Sequence, residues 1–275
     1  MKSESNQVLR FRDVRVQFDG VVAVNLAQLD LFNGSDLVVF LGPNGAGKSS
    51  LINAATGYAT VQPPGTVVLE NGKCFDLSKL SRDRIVRAGV TRTFQTPVIF
   101  SSLTVEESLL MAAVMGKPNS SLRRLVSLFR PLKRDRKSVL LVEYLLEGLE
   151  LGAVAQTRMS ELSFVMLRRA ELARALASQP RILFLDEPSA GADGVETNFL
   201  INLITCKLPE MIPLLFKKGL YRQTHLAIGL VTHDRVLLEG LAHSCSNEPM
   251  AHYFERGQLK SSCCLGEWLN STKTS

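Results

Sequence analysis

The chain has 275 residues, 45% of them hydrophobic and 21% charged, with a formal net charge of +6, a composition that excludes a disordered or fibrous protein. Its length allows one compact domain with a subdomain, or two. No apolar run in the sequence approaches the length that spans a bilayer, and Met1 to Ser5 lead into no signal-peptide segment, so a cytosolic chain is expected.

Apolar and polar residues partly alternate from Val8 to Phe18, Asp19-Gly20 marks a turn, and a second alternating stretch runs from about Val24 to Phe32 before Asn33-Gly34. Both stretches predict antiparallel strands. Phe18 offers an aromatic ring able to stack on adenine, although a phenylalanine ending a strand is usually core. Leu37 to Leu41 is an apolar run with the length and β-branched content of a buried strand. Directly after it, Gly42, Pro43, Asn44, Gly45, Ala46, Gly47, Lys48, Ser49 and Ser50 fill every required place of the pattern G-x-x-x-x-G-K-[ST]. A helix is predicted from Lys48 to Ala55, stopped near Gly57. Strand, glycine loop and helix together let backbone N–H groups wrap a phosphate chain at the positive end of a helix dipole. In such a loop Lys48 reaches the β and γ phosphates of ATP, and the Ser49 hydroxyl binds the Mg²⁺ that bridges them.

Thr66 to Leu69, the turn pair Asn71-Gly72 and Lys73 to Phe75 predict a hairpin, so an antiparallel sheet is expected beside the phosphate loop. Val90 to Phe94 reads as a strand leading into Gln95-Thr96-Pro97, where Gln95 on its own terms is a loop residue. Thr104 and Glu107 then form a capping box ahead of Leu109, Leu110, Ala113 and Val114, and a further helix is predicted from Ser138 to Glu147. Between them lie Arg123, Arg124, Arg130, Lys133, Arg134, Arg136 and Lys137. They read as a solvated helix face more than as a surface for anionic lipid or nucleic acid, because no aromatic residues interleave the charges. Residues from about Thr96 to Leu162 read as a helical insertion, and a turn at Ser160 to Ser163 is expected to lead into a helix ending near Ala177.

In Arg181-Ile182-Leu183-Phe184-Leu185-Asp186-Glu187-Pro188 an apolar strand delivers two carboxylates at its carboxyl end, where ligands collect in a parallel α/β sheet. Asp186 suits a second Mg²⁺ anchor, and Glu187 is placed to orient or deprotonate an attacking water. Val195 to Cys206 predicts a helix, with Pro209 and Pro213 breaking up the chain from there to His225. The strand Leu226 to Val231 then presents Thr232-His233-Asp234. A lone histidine there is more often structural, but His233 shares a sheet edge with Asp186, where it can contact a γ-phosphate. His225, His243 and His252 have no such setting. Cys74, Cys206, Cys245, Cys263 and Cys264 lack C-x-x-C spacing, which argues against a zinc site or a disulfide framework.

Taken together, these motifs resemble the ATP-binding subunit of an ABC transporter, from about Val8 to Leu259. The resemblance implies an α/β P-loop NTPase core with a parallel sheet, an antiparallel β subdomain and a helical subdomain, divided as 7–95 with 167–260 for the core and 96–166 for the helices. By similarity Phe18 falls at the adenine-stacking aromatic, Gly42 to Ser50 at Walker A, and Gln95 at the Q-loop, a further metal contact. Ile182 to Asp186 resemble Walker B, Glu187 the catalytic glutamate, Ala190 to Asp193 the D-loop and His233 the switch histidine. Phe18 to Val24, Thr91 to Pro97 and Leu103 to Val105 look most like importers of branched-chain amino acids or urea. The signature L-S-G-G-Q falls at Leu162-Ser163-Phe164-Val165-Met166, where Ser163 is retained but Val165 puts a β-branched side chain in place of a glycine. The resemblance implies ATP and Mg²⁺, transmembrane permease subunits, a second ATPase subunit and a solute-binding protein, at the cytoplasmic face of a membrane and without nucleic acid, and the altered signature favours a heterodimer over a homodimer. A regulatory subunit with little ATPase activity is the alternative that the altered signature suggests.

Overall fold

The computed structural model describes residues 8–32, 35–70, 74–94, 100–116 and 135–272. The turns expected at Asn33-Gly34 and Asn71-Gly72, the loop Gln95-Thr96-Pro97 and the basic residues before Arg136 lie outside them. The first strands, β1 (Val8–Phe18) and β2 (Val21–Leu31), form an antiparallel hairpin closed by Asp19 and Gly20. Both turn residues have positive φ, 46° and 85°, as the two-residue turn matched to strand twist requires. β2 begins three residues before the expected Val24, because backbone pairing from Phe18↔Val21 runs on past the point where the side chains stop alternating. With β4 (Thr66–Glu70) and β5 (Cys74–Asp76) these strands make a sheet in the order β2-β1-β4-β5.

The second sheet contains β3 (Leu37–Leu41), β6 (Val90–Arg92), β7 (Ile182–Asp186), β8 (Ala227–Val231), β9 (Met250–Glu255) and β10 (Gln258–Cys264), in the order β10-β9-β3-β8-β7-β6. From β9 to β6 all pairings are parallel, and β10 closes one edge antiparallel. β3, β7 and β8 are buried at every position, so their alternating side chains build two cores. Val39, Leu41, Leu183, Leu185, Ile228 and Leu230 face the larger helical core. Val38, Phe40, Ile182, Phe184, Ala227 and Val231 face the antiparallel sheet and α1 (Lys48–Ala55). The central strands therefore end together at one edge, and that edge carries the phosphate loop, Asp186-Glu187 and His233.

The remaining helices are α2 (Arg82–Ala88), α3 (Val105–Met115), α4 (Arg136–Gly148), α5 (Phe164–Ala177), α6 (Gly194–Asn202), α7 (Leu208–Lys217), α8 (Arg235–Ser244) and α9 (Leu265–Ser271). The capping box opens α3: Glu107 N donates to Thr104 Oγ1 at 3.2 Å and Thr104 N to Glu107 Oε2 at 3.0 Å.

Pro209 and Pro213, expected to break the chain into irregular structure, instead lie in a helix continuous from Gly194 to Lys217. A π-helical turn, Leu203–Lys207, joins α6 to α7, and Leu208 N donates to Leu203 O, five residues back. The ladder is already displaced where Pro209 brings no donor. An interior proline costs about 3 kcal/mol. Phe199, Leu200, Leu203, Ile204, Leu208, Ile212 and Leu215 are all buried, each contributing roughly 1.5–3 kcal/mol, which offsets that cost several times over. At 24 residues this helix is long and apolar enough, by length and composition, to cross a membrane, which corrects the expectation that no run approaches that length. Phe199, Leu200, Leu203, Ile204, Leu208, Ile212 and Leu215 are taken up by the core that packs on the sheet, while Val195, Leu214 and Phe216 stay exposed.

His252 of β9 is buried between Phe40 and Ser262, whose Oγ lies 2.7 Å from Nδ1. Burial pushes its imidazolium down to about 4, so the folded chain holds it neutral while the unfolded chain protonates it near pH 6.5. Stability from this residue is complete above the unfolded value and falls as pH drops toward the folded one, by roughly 2 kcal/mol between pH 7 and pH 5. Urea unfolding at the two pH values is expected to show that drop in the wild type and a smaller one in His252→Gln.

Candidate functional site

The loop after β3 is held from outside before it can hold anything within. Gly42, at φ 133°, could carry no side chain, since a Cβ would lie 2.0 Å from Phe254 O of β9. Gly47, at φ 95°, would put one 2.3 Å from Ala23 O of β2. The turn between β9 and β10 clamps the same loop: Gly257 N donates to Ala46 O at 3.0 Å, and Asn25 N to Gly257 O at 2.8 Å. Pro43, Asn44 and Gly45 form its exposed crest. Gly47 is the N-cap of α1, so the first N–H groups of that helix, from Lys48 through Ser50, have no side-chain cap and face the loop with the positive helix end. This is a cradle for a polyphosphate. Lys48 Nζ donates to Gly42 O at 2.6 Å and Pro43 O at 2.9 Å, and burial lowers its pKa.

Ser49 Oγ, one residue on, donates to Asp186 Oδ1 at 3.2 Å, joining α1 to the end of β7. The other oxygen, Oδ2, receives Arg92 Nη2 at 2.8 Å, with both side chains 6% exposed. Arg92 also donates to Asn53 Oδ1 of α1 and, through Nε, to Thr93 O at 3.0 Å. The Asp186 side chain is thus held inside the protein between an arginine and a serine hydroxyl. These hard oxygen donors suit Mg²⁺, which dehydrates reluctantly and binds through one or two protein groups plus substrate phosphates. Among the described residues no group of three His, Cys, Asp or Glu could hold a metal alone, so the ion would depend on the nucleotide for further ligands.

Glu187 stands just past β7 with φ 50°, a left-handed conformation costing roughly 1–2 kcal/mol in a residue other than glycine. Its N–H donates to Val231 O of β8 at 2.8 Å, and its carbonyl accepts from Arg168 Nη1 at 2.8 Å. The carboxylate faces His233: the backbone N–H of His233 donates to Oε2 at 3.4 Å, and Nε2 lies 3.5 Å from Oε1. Burial raises the Glu187 pKa, while His233 pulls it back down. Asp234, the next residue, caps α8 by accepting from Val236 N at 2.9 Å and Leu237 N at 3.2 Å.

Lys48, Ser49, Asp186, Glu187 and His233 are therefore brought together. Phe18 is 45% exposed at the tip of the β1–β2 hairpin, and Ala23, further along β2, is the residue Gly47 packs against. Gln95 lies outside the described residues. Ser163 sits in another element, as N-cap of α5, and its Oγ accepts from Met166 N at 3.3 Å. Phe164 is 51% exposed with its ring 4.6 Å from the Arg168 guanidinium carbon, and Met166 packs on the helical core. Asp193 caps α6 by accepting from Glu196 N at 2.9 Å. Arg92 and Arg168 were given no role by the sequence, and the available hint for Arg92 was a cation closing a strand beside the Asp186 strand end.

The ABC transporter family profile matches residues 25–190. The chain is 33% identical over 200 residues to the high-affinity branched-chain amino acid transport ATP-binding protein BraF of Pseudomonas aeruginosa, covering 73% of this chain and 76% of that protein. It is 31% identical over 238 residues to the corresponding protein LivG of Escherichia coli, covering 86% of each. A nucleotide-free ATP-binding cassette from an ABC transporter has the same fold, with a TM-score of 0.71 and 22% identity over 98% of this chain and 96% of that one. A dimeric bacterial ABC transporter cassette superposes with a TM-score of 0.66 at 19% identity, over 94% and 98% of the two chains. The chain belongs to the ABC transporter family and is an ATP-binding, ATP-hydrolysing subunit of it.

Proposed function

We propose that this subunit powers import of branched-chain amino acids, urea or a related small solute through a separate membrane permease. The names of its relatives support the first of these solutes. The observation that carries the catalytic part is the convergence of Ser49, Asp186, Glu187 and His233 at the carboxyl ends of neighbouring parallel strands, beside an uncapped helix N-terminus. Residues 7–95 and 167–260 hold the nucleotide, and the helices within 96–166 meet the permease beside Gln95. The chain sits at the cytoplasmic face of the membrane through that permease, which in turn receives solute from a binding protein. Nucleic acid has no part.

The N–H groups from Gly42 to Ser50 bind the phosphates, and Lys48 exchanges the Gly42 and Pro43 carbonyls for the β and γ phosphate oxygens. Ser49, Asp186 and Gln95 hold Mg²⁺, which neutralises charge on those phosphates. Glu187 takes a proton from the attacking water. His233 holds the Glu187 carboxylate in place and contacts the γ-phosphate. Phe18 stacks on the adenine, and Ser163 faces the nucleotide of a second subunit.

That second subunit is a different chain. The Lys48 to Glu187 face is complete, whereas Val165 and Met166 remove the backbone approach and polar contact that a partner's nucleotide needs. Paired with a subunit bearing an intact signature, this chain hydrolyses its own ATP, and the partner's ATP turns over slowly. Losing donors to a transition-state charge costs about 10²- to 10³-fold each. Val165→Gly with Met166→Gln is therefore expected to raise turnover mainly at the partner's nucleotide. Steady-state ATPase rates of the chain alone, of the double variant, and of each with the partner test this. Vigorous hydrolysis by the unrepaired chain alone, unchanged by the repair, would contradict it.

A further inference from the structure

Glu187 is held in its left-handed turn by its own peptide groups, one at each side. On one side its N–H is tied to Val231 O in the sheet. On the other, Arg168 Nη1 donates to Glu187 O at 2.8 Å and to Pro188 O at 3.0 Å. The Glu187 carbonyl also accepts from Ala190 N at 3.2 Å, but that bond lies within the same turn and can move with it. Arg168 is what fastens the turn to a separate element, α5. Without that tie φ is freer to relax from 50° toward an ordinary value, and relaxation swings the carboxylate away from His233. Arg168 is itself placed by Phe164, one turn earlier on α5, whose ring lies against the guanidinium at 4.6 Å. The contact explains what an aromatic does at a place where the resembled signature has glycine. Gly191 lies beside the same ring, where a Cβ would come within 3.8 Å of Phe164 Cε1.

We propose that Arg168 is a positioning residue for Glu187, fixing the glutamate's backbone turn through the carbonyls of Glu187 and Pro188, with Phe164 as the flat support for its guanidinium. This rests on the reading of Glu187 as the hydrolytic base. It ties the exposed Phe164 surface, which faces a second subunit under that reading, to the hydrolytic residue of the same chain. A lysine replaces the charge and not the function, because an ammonium has no planar face to lie on the ring.

The test is nucleotide binding and single-turnover ATP hydrolysis by Arg168→Met, Arg168→Lys and Phe164→Leu, with Arg168→Met repeated in the Glu187→Gln background. Arg168→Met is expected to bind a fluorescent ATP analogue within about twofold of wild type while hydrolysis slows by about 10- to 100-fold, the range for a misplaced catalytic group. Arg168→Lys recovers little of that loss, and Phe164→Leu loses about threefold. In the Glu187→Gln background Arg168→Met has no further effect, because nothing remains to be positioned. Equal slowing in both backgrounds, or a loss of binding that matches the loss of rate, would overturn the proposal. If Arg168→Met does not fold, Arg168→Lys takes its place in both backgrounds, with the same outcomes deciding. Wild-type hydrolysis by Glu187→Gln alone would overturn the assignment of Glu187 instead.

Discussion

Glu187→Gln is expected to keep ATP bound while hydrolysis falls by about 10²- to 10⁴-fold, the usual worth of a positioned general base. The substitution preserves shape and leaves the phosphate cradle, Lys48, Ser49 and Asp186 in place. The backbone ties from Glu187 N to Val231 O and from Arg168 to Glu187 O do not involve the side chain, so the turn itself persists. An amide oxygen still accepts from the His233 N–H that lies 3.4 Å from Oε2. Only the basic site is lost. Affinity for an ATP analogue and rate of phosphate release, measured on one preparation, separate this from a general loss of fold.

Lys48→Ala is expected to act one step earlier, weakening ATP binding by about 100-fold or more, because charged hydrogen bonds contribute roughly 1.5–3 kcal/mol each and the proposed site has this ammonium making at least two to the phosphates. The folded chain should hardly notice. Lys48 Nζ donates to the carbonyls of Gly42 and Pro43, and both carbonyls belong to a loop whose Pro43, Asn44 and Gly45 are exposed, so water can replace the lost donor. Isothermal titration with ATP and Mg²⁺, beside thermal unfolding without nucleotide, should show lost binding at an unchanged midpoint. Near-normal affinity would remove Lys48 from the phosphate site.

The parts legible in the sequence are those that local pattern dictates. The phosphate loop is contiguous, its glycines answer to backbone limits at Gly42 and Gly47, and β3 and β7 are apolar because both faces are buried. The capping box at Thr104 is likewise local. Strand order was not legible, since β3 lies between β9 and β8 through pairings far apart in sequence. Proline misled between residues 207 and 217 because a π-helical turn, which leaves no local signature, had already displaced the hydrogen-bond ladder. The two arginines escaped for a related reason. Arg92 meets Asp186 across 94 positions, and Arg168 meets Glu187 from a neighbouring helix, so their partners appear only once the fold is assembled.

The proposal that ATP bound at the phosphate loop is hydrolysed through Glu187, beside the Ser49–Asp186 pair, is tested most directly by one measurement. The chain in excess is mixed with radiolabelled ATP and Mg²⁺, bound nucleotide is separated after increasing times, and ATP is scored against ADP for the wild type and Glu187→Gln. Within one turnover even a slow site reveals itself. The wild type should convert bound ATP to ADP while Glu187→Gln retains intact ATP; equal conversion by both, or no retained nucleotide in the wild type, would contradict the account.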